Sequence, residues 1–199
     1  MTGSARGRGE PTTTERRILR AAVRLFAEQG FDATTVQQIV DAAEVTKGAL
    51  YHYFDAKDDL LYEIYHSLIG VQAAELDRIV ARGLGPRETV RAILVNLVET
   101  TAARVDETAV FVREMHKLDA ERMAAFRADR RRYHETFRAV VAEAQRGGEF
   151  RDAVPANTVV LIALGVINQL PTWYRPDGPT TPNQLGQQIA DFVLAALET

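Results

Sequence analysis

Residues 34–61 read TTVQQIVDAAEVTKGALYHYFDAKDDLL and hold the densest chemistry in the chain. Thr46, Lys47 and Gly48 fall in the first turn of a short helix, where free N–H groups and the helix dipole favour phosphate. Gly48 has no side chain, so an outside backbone can approach closely. Tyr51, His52 and Tyr53 are three consecutive rings with polar tips. On a helix they fan out by about 100° per residue, so at least one points away from a core. Thr34 or Thr35 before the preceding helix, and Lys57 at the start of the next, are placed to hold a flanking backbone.

Other chemistries find little support. The chain has no cysteine, which excludes a disulfide framework, a thiolate zinc site, an iron–sulfur cluster and a cysteine nucleophile. Its histidines are His52, His66, His116 and His134. Glu63 and His66 have the Glu-x-x-His spacing of a di-iron helix, but that site needs a second copy and further carboxylates, and no second copy exists. There is no nucleophile elbow, phosphate-binding loop or dinucleotide fingerprint. No catalytic residue, cofactor or metal is expected, and the chain is not expected to be an enzyme. A helical metal-dependent enzyme is the rival from another class. A DNA-binding regulator without an effector is the rival within the same class.

The elements that must position these residues are all helical. Thr12 to Glu15 has the form of a capping box, Ile18, Leu19, Ala22, Val23 and Phe26 recur at helical spacing, and Gly30 supplies a stop. A second short helix carries Val36, Ile39, Val40 and Ala43, and a third runs from about Thr46 to Phe54. Asp55 and Asp58 suggest the cap of a fourth. Together they form a helix-turn-helix with helix one as its third wall, since neither short helix is stable alone. A long fourth helix and five more follow. One of these opens at Pro155 and stops at Pro171. The expectation is an all-α fold of about nine helices: a disordered basic tail at 1–11, a helix-turn-helix DNA-binding domain at 12–57, and a larger helical domain at 58–199, to which the resemblance given below assigns effector binding and dimerisation.

The net charge of −3 is unevenly spread. Residues 1–24 hold six arginines against two glutamates, and residues 1–57 hold eight basic against seven acidic residues. Residues 58–199 hold sixteen basic against twenty acidic. That pattern describes a modestly basic reading head and an acidic body.

Residues 14–62 resemble the DNA-binding region of the TetR family of transcriptional regulators. The shared features are the Thr-Thr start, Lys47, Gly48, Leu50, Tyr51 and Phe54, then Lys57, Asp58, Leu60 and Leu61. The Ile-Leu-x-Ala-Ala and Leu-Phe-Ala-Glu-x-Gly segments of helix one match too. The family often has glycine in the turn where this sequence has Glu44, and a left-handed turn there costs Glu about 1 kcal/mol. The resemblance implies a homodimeric repressor on a palindromic double-stranded DNA operator. Carried over, it points to Thr35, Gln37, Thr46, Lys47, Gly48, Tyr51, His52, Tyr53 and Lys57 at DNA. Lys47 is the candidate for a base contact, with the tyrosines and Lys57 on phosphates.

The family also implies a small effector and a dimer built on the last two long helices. Leu161, Leu185, Ile189, Phe192 and Val193 are the expected interface. Phe111, Met115, Tyr133, Phe137, Asn168 and Trp173 are the expected ligand wall, with Gln169 beside Asn168 as a second amide in an apolar helix. The basic run Arg130-Arg131-Arg132 could meet an acidic head group. The C-terminal stretch TWYRPDGPTTPNQLGQQIADFVLAAL resembles the tail of TetR-like regulators of fatty-acid and steroid catabolism, some of which respond to acyl-CoA. The helix before Trp173 carries no basic residue for a CoA phosphate, so a neutral apolar effector fits as well. With no signal peptide and no bilayer-length apolar run, the protein is expected in the cytoplasm, off the membrane.

Overall fold

The computed structural model describes residues 12–198, so the tail expected to be disordered at 1–11 lies outside the described residues. Ten α-helices and one 3-10 turn form the regular structure, with no strand among the described residues. The chain divides into two compact units, the first ending at Ile64 and the second beginning at Tyr65. The division falls inside α4 (Lys57–Ala81).

The first unit opens with α1 (Thr13–Gln29). The Thr12 hydroxyl accepts the Glu15 N–H at 3.2 Å and the Glu15 carboxylate accepts the Thr12 N–H at 3.3 Å, which closes the expected box. Ile18, Ala22 and Phe26 are fully buried. Gly30 ends the helix at φ 89°. The two threonines that follow divide the work. Thr35 caps α2 (Val36–Ala43) through Gln38, while the buried Thr34 donates its hydroxyl proton to the Gly30 carbonyl at 2.7 Å. Thr46 caps α3 (Lys47–Tyr53) by accepting the Ala49 N–H at 3.1 Å. Leu50 and Phe54 are buried beneath it.

Glu44, in the turn, sits at φ 52° and ψ 47°. It is the only non-glycine residue with a positive φ among the described residues. Arg17 Nη2 donates to both the Glu44 carbonyl and its carboxylate, each at 3.1 Å, and so braces the strained residue from α1. At the start of α4 the expected Asp55–Asp58 pair is not the cap. Asp59 reaches back instead and accepts the Ala56 N–H at 2.8 Å, because the helix starts at Lys57.

The second unit adds α5 (Pro86–Ala103), α6 (Val105–Glu114), a 3-10 turn at Met115–Lys117, α7 (Ala120–Arg146), α8 (Ala156–Asn168), α9 (Leu170–Trp173) and α10 (Pro182–Ala195). The tenth helix has a local cause. The apolar helix expected to reach Pro171 ends at Asn168, and Pro171 lies in the first turn of the short α9, where its missing N–H goes unused.

Gly186 on α10 is buried against α5, and a Cβ there would lie 2.8 Å from the Val95 Cα. The backbones are therefore in near contact. Arg91 ties the pair with hydrogen bonds to Gln187 at 2.9 Å and Asp191 at 2.7 Å. This approach buries Val193 and packs Leu185 and Ile189 onto the core of their own subunit. Leu185 and Ile189 stay partly exposed, and Phe192, pointing the other way, is 72% exposed.

Candidate nucleic-acid interface and cavity

Leu50 and Phe54 hold α3 down by its inner side, which fixes the residues that face out. Lys47, Gly48, Tyr51 and His52 are exposed, at the i, i+3, i+4 spacing of one helical face. Tyr53 is half-buried and stands edge-on to His52, with 4.9 Å between ring centroids. A Cβ added at Gly48 would meet nothing nearer than Thr46 Oγ1 at 3.8 Å, and its backbone is not in the left-handed region. The fold itself makes no demand for glycine at this position.

The other expected contact residues have work inside the unit. Thr35 and Thr46 are caps. Gln37 Nε2 donates to Asp41 at 2.8 Å. Lys57 also has work inside the unit. Its ammonium donates to the carbonyls of Phe31 at 2.7 Å and Thr34 at 2.8 Å, and lies 4.2 Å over the Phe31 ring. Two of its three N–H groups are thereby engaged. One feature was missed in the sequence: Arg17, Arg20 and Arg24 line a shallow groove with Ala42 and Glu44. Their i, i+3, i+7 spacing on α1 was the available signal.

In the second unit a cavity of about 610 Å³ is lined by residues of α4 to α8. Phe111, Met115, Tyr133 and Asn168 line it, as expected. Phe137 does not, because it lies one turn beyond Tyr133 on α7 and is fully buried in the core. Trp173 does not either; it is exposed beyond the end of α8, as is Gln169. Behind the lining, Tyr65 stands edge-on to Phe111 with centroids 5.4 Å apart and donates to the Val110 carbonyl at 3.3 Å. Burial, with the nearby Glu114 carboxylate, pushes its phenol above the ordinary range. Burial does the same to Tyr133.

One wall differs from the rest. From α7, Arg127, Arg130, Arg131 and His134 face the cavity, and no acidic residue lines it. The Arg130 guanidinium lies 5.6 Å from the Phe111 centroid and 5.8 Å from that of Phe126, and burial lowers its pKa. Arg132, next in the run, turns away and pairs with Asp77 at 2.8 Å. His134 Nε2 is buried with no hydrogen-bond partner. Such a vacancy costs about 1–3 kcal/mol. The basic residues absent from α8 are supplied by α7.

The outer side of α8 is bare in the single subunit: Leu161 is 55% exposed, and Ile162 and Val166 are exposed beside it. Glu63 and His66 join no metal-binding group, since no cluster of three or more His, Asp or Glu suits a metal among the described residues. No described helix is long and apolar enough to cross a membrane.

Comparison with known proteins gives this geometry a family. Residues 18–64 match the model for bacterial regulatory proteins of the tetR family, and residues 83–197 match that for the tetracyclin repressor-like C-terminal domain. The chain belongs to the TetR family. It is similar to the HTH-type transcriptional repressor KstR2 of Rhodococcus jostii, at 30% identity over 90% of this chain and 89% of the relative. The solved ketosteroid transcriptional regulator KstR2 of Mycobacterium tuberculosis is 26% identical, with a TM-score of 0.85 over 96% of this chain and 100% of that one. A crystal structure of AibR in complex with isovaleryl coenzyme A and operator DNA is 27% identical, with a TM-score of 0.76 over 92% of this chain and 96% of that one. This TetR-family chain is thus a DNA-binding transcriptional regulator with a helix-turn-helix.

Proposed function

We propose that this regulator is a homodimeric repressor that binds a palindromic operator and releases it when a small effector with an apolar body fills the cavity. The observation that carries the reading is the outward face of α3. Lys47, Gly48, Tyr51 and His52 lie uncovered together, and the glycine among them has no role in the fold. A recognition helix lying in the major groove needs such a face, and close approach to a duplex gives Gly48 its reason. Lys47 reaches a base edge and Tyr51 and Tyr53 hold phosphates, with Arg17, Arg20 and Arg24 adding positive potential. Residues 12–57 do the reading, and residues 58–199 sense and dimerise.

The dimer uses the exposed apolar faces of α8 and α10. Leu161, Ile162, Val166 and Phe192 meet their symmetry mates in an isologous four-helix contact. The cavity supports an effector, since a domain serving only as scaffold would be filled. An acyl-CoA or lipid-like molecule suits its aromatic lining, and the isovaleryl coenzyme A bound to AibR supports that class.

The test is selection of a duplex from a random-sequence library, followed by gel-shift titration of Tyr51→Ala. The variant is expected to keep its helix content and dimer while losing at least about a hundredfold in operator affinity. Unchanged affinity would remove α3 as the reader.

A further inference from the structure

We propose that the cavity selects ligands by an anionic head group, gripped by Arg127, Arg130 and Arg131 and hydrogen-bonded by His134 Nε2, with the apolar body lying against Phe111 and Phe126. The inference deepens the effector reading above and depends on it.

Charge gives the first reason. The body of this protein is acidic, with twenty acidic against sixteen basic residues from 58 onward, yet the cavity lining holds three arginines and no carboxylate. A random sample of that surface would carry both signs. The second reason is lack of partners. Arg132 and Arg138 on the same helix hold Asp77 and Glu135, whereas Arg127, Arg130 and Arg131 face the cavity with no carboxylate partner among the described residues. Arg130 is half-buried over two aromatic rings, a costly place for a lone guanidinium. An anion docked there would recover the lost solvation through charge-assisted hydrogen bonds.

The third reason is His134, which lines the cavity and whose buried Nε2 has no hydrogen-bond partner. On α4 and α6 the lining polar groups are engaged, while Asn157 and Asn168 on α8 are open amides. Gln72 donates to Thr101 at 3.5 Å, and the Thr108 hydroxyl donates to the Arg104 carbonyl at 3.0 Å. The charged donors of the lining are all on α7. As the Nε2–H tautomer, His134 donates to the head group.

A carboxylate and the phosphates of a coenzyme A thioester share this chemistry, and the experiment separates them. Dodecanoate and lithocholate are each offered to the full-length protein as the free acid, the CoA thioester and the methyl ester. Binding is read by calorimetry, and release of the selected operator by gel shift. For at least one skeleton, an anionic form is expected to bind at least tenfold tighter than the ester. Preference for the acid assigns the arginines to a carboxylate; preference for the thioester assigns them to phosphate. Arg130→Met and His134→Phe are expected to erase the preference, and Arg130→Lys to retain most of it.

An ester that binds and releases the operator as well as the anionic forms would overturn the head-group proposal and leave the effector reading standing. A preference that survives both Arg130→Met and His134→Phe would also overturn it. Failure of every form to bind would count against both.

Discussion

The outward face of α3 and the α7 wall of the cavity both present polar and cationic groups, but their surroundings differ. Around α3, the neighbouring polar side chains are engaged with the backbone. Thr35 and Thr46 cap helices, Arg17 braces the turn at Glu44, and Lys57 closes the unit by holding the carbonyls of Phe31 and Thr34. The reading face is what remains after local structure has taken its share. In the cavity the aromatic lining is well packed, and the groups left over are the half-buried Arg130, the exposed Arg127 and Arg131, His134 and two α8 amides. A rigid frame of satisfied hydrogen bonds suits a surface that must match a regular duplex. A pocket with unmet polar atoms suits a partner that arrives and completes it.

Three substitutions sharpen that contrast in stability. The largest effect belongs to the second unit. Gly186→Val drives a branched side chain into the α5 backbone at Val95, and the forced separation is expected to cost about 3 kcal/mol, read as a lowered urea midpoint. A midpoint that stays put would mean the two helices are less tightly apposed than their geometry indicates. In the first unit, Lys57→Met keeps much of the stem but removes two charged hydrogen bonds and the contact over Phe31, an expected loss of about 2 kcal/mol by the same measurement. A loss of stability with operator affinity intact would mark Lys57 as a clamp alone; intact stability with lost affinity would return it to the DNA.

The smallest effect is at the turn. Glu44→Gly relieves about 1 kcal/mol of left-handed strain but gives up an exposed ion pair to Arg17 worth about 0–1 kcal/mol, so the net change is expected within about 0.5 kcal/mol. A loss well beyond that would show the Arg17 brace to be stronger than a surface pair.

The same contrast explains what could be read from the chain. In the first unit, chemistry and structure are local. The Thr12–Glu15 box and the buried stripe of Ile18, Ala22 and Phe26 follow from residues within a few positions of one another, and the αL conformation of Glu44 was signalled by the family's glycine at that turn. The bonds that Lys57 makes inside the unit were not legible, because its partners lie at Phe31 and Thr34, more than twenty positions away. In the second unit, periodicity says that a stripe is covered but not by what. Leu185, Ile189 and Val193 are covered by their own subunit because Gly186 lets α5 come close. The α8 sequence is apolar on nearly every face, and in the single subunit Leu161, which also borders the cavity, Ile162 and Val166 are exposed.

The cavity wall was the hardest part to foresee. Arg130-Arg131-Arg132 reads as one basic run, but a helix splits it: the half-buried Arg130 and the exposed Arg131 border the cavity with Arg127 and His134, and Arg132 pairs with Asp77. Nothing in the sequence marks the vacant Nε2 of His134, since the vacancy is created by walls from distant helices.

Gly48 offers the most direct test of the reading face, because the fold and the function make opposite demands on it. Gly48→Ala places a methyl where nothing inside the unit lies nearer than 3.8 Å, and alanine favours a helix over glycine by about 1 kcal/mol. The melting temperature is therefore predicted to hold or rise, while affinity for the selected operator falls at least about tenfold. A variant that is equally stable and binds the operator as well as the parent would contradict the account.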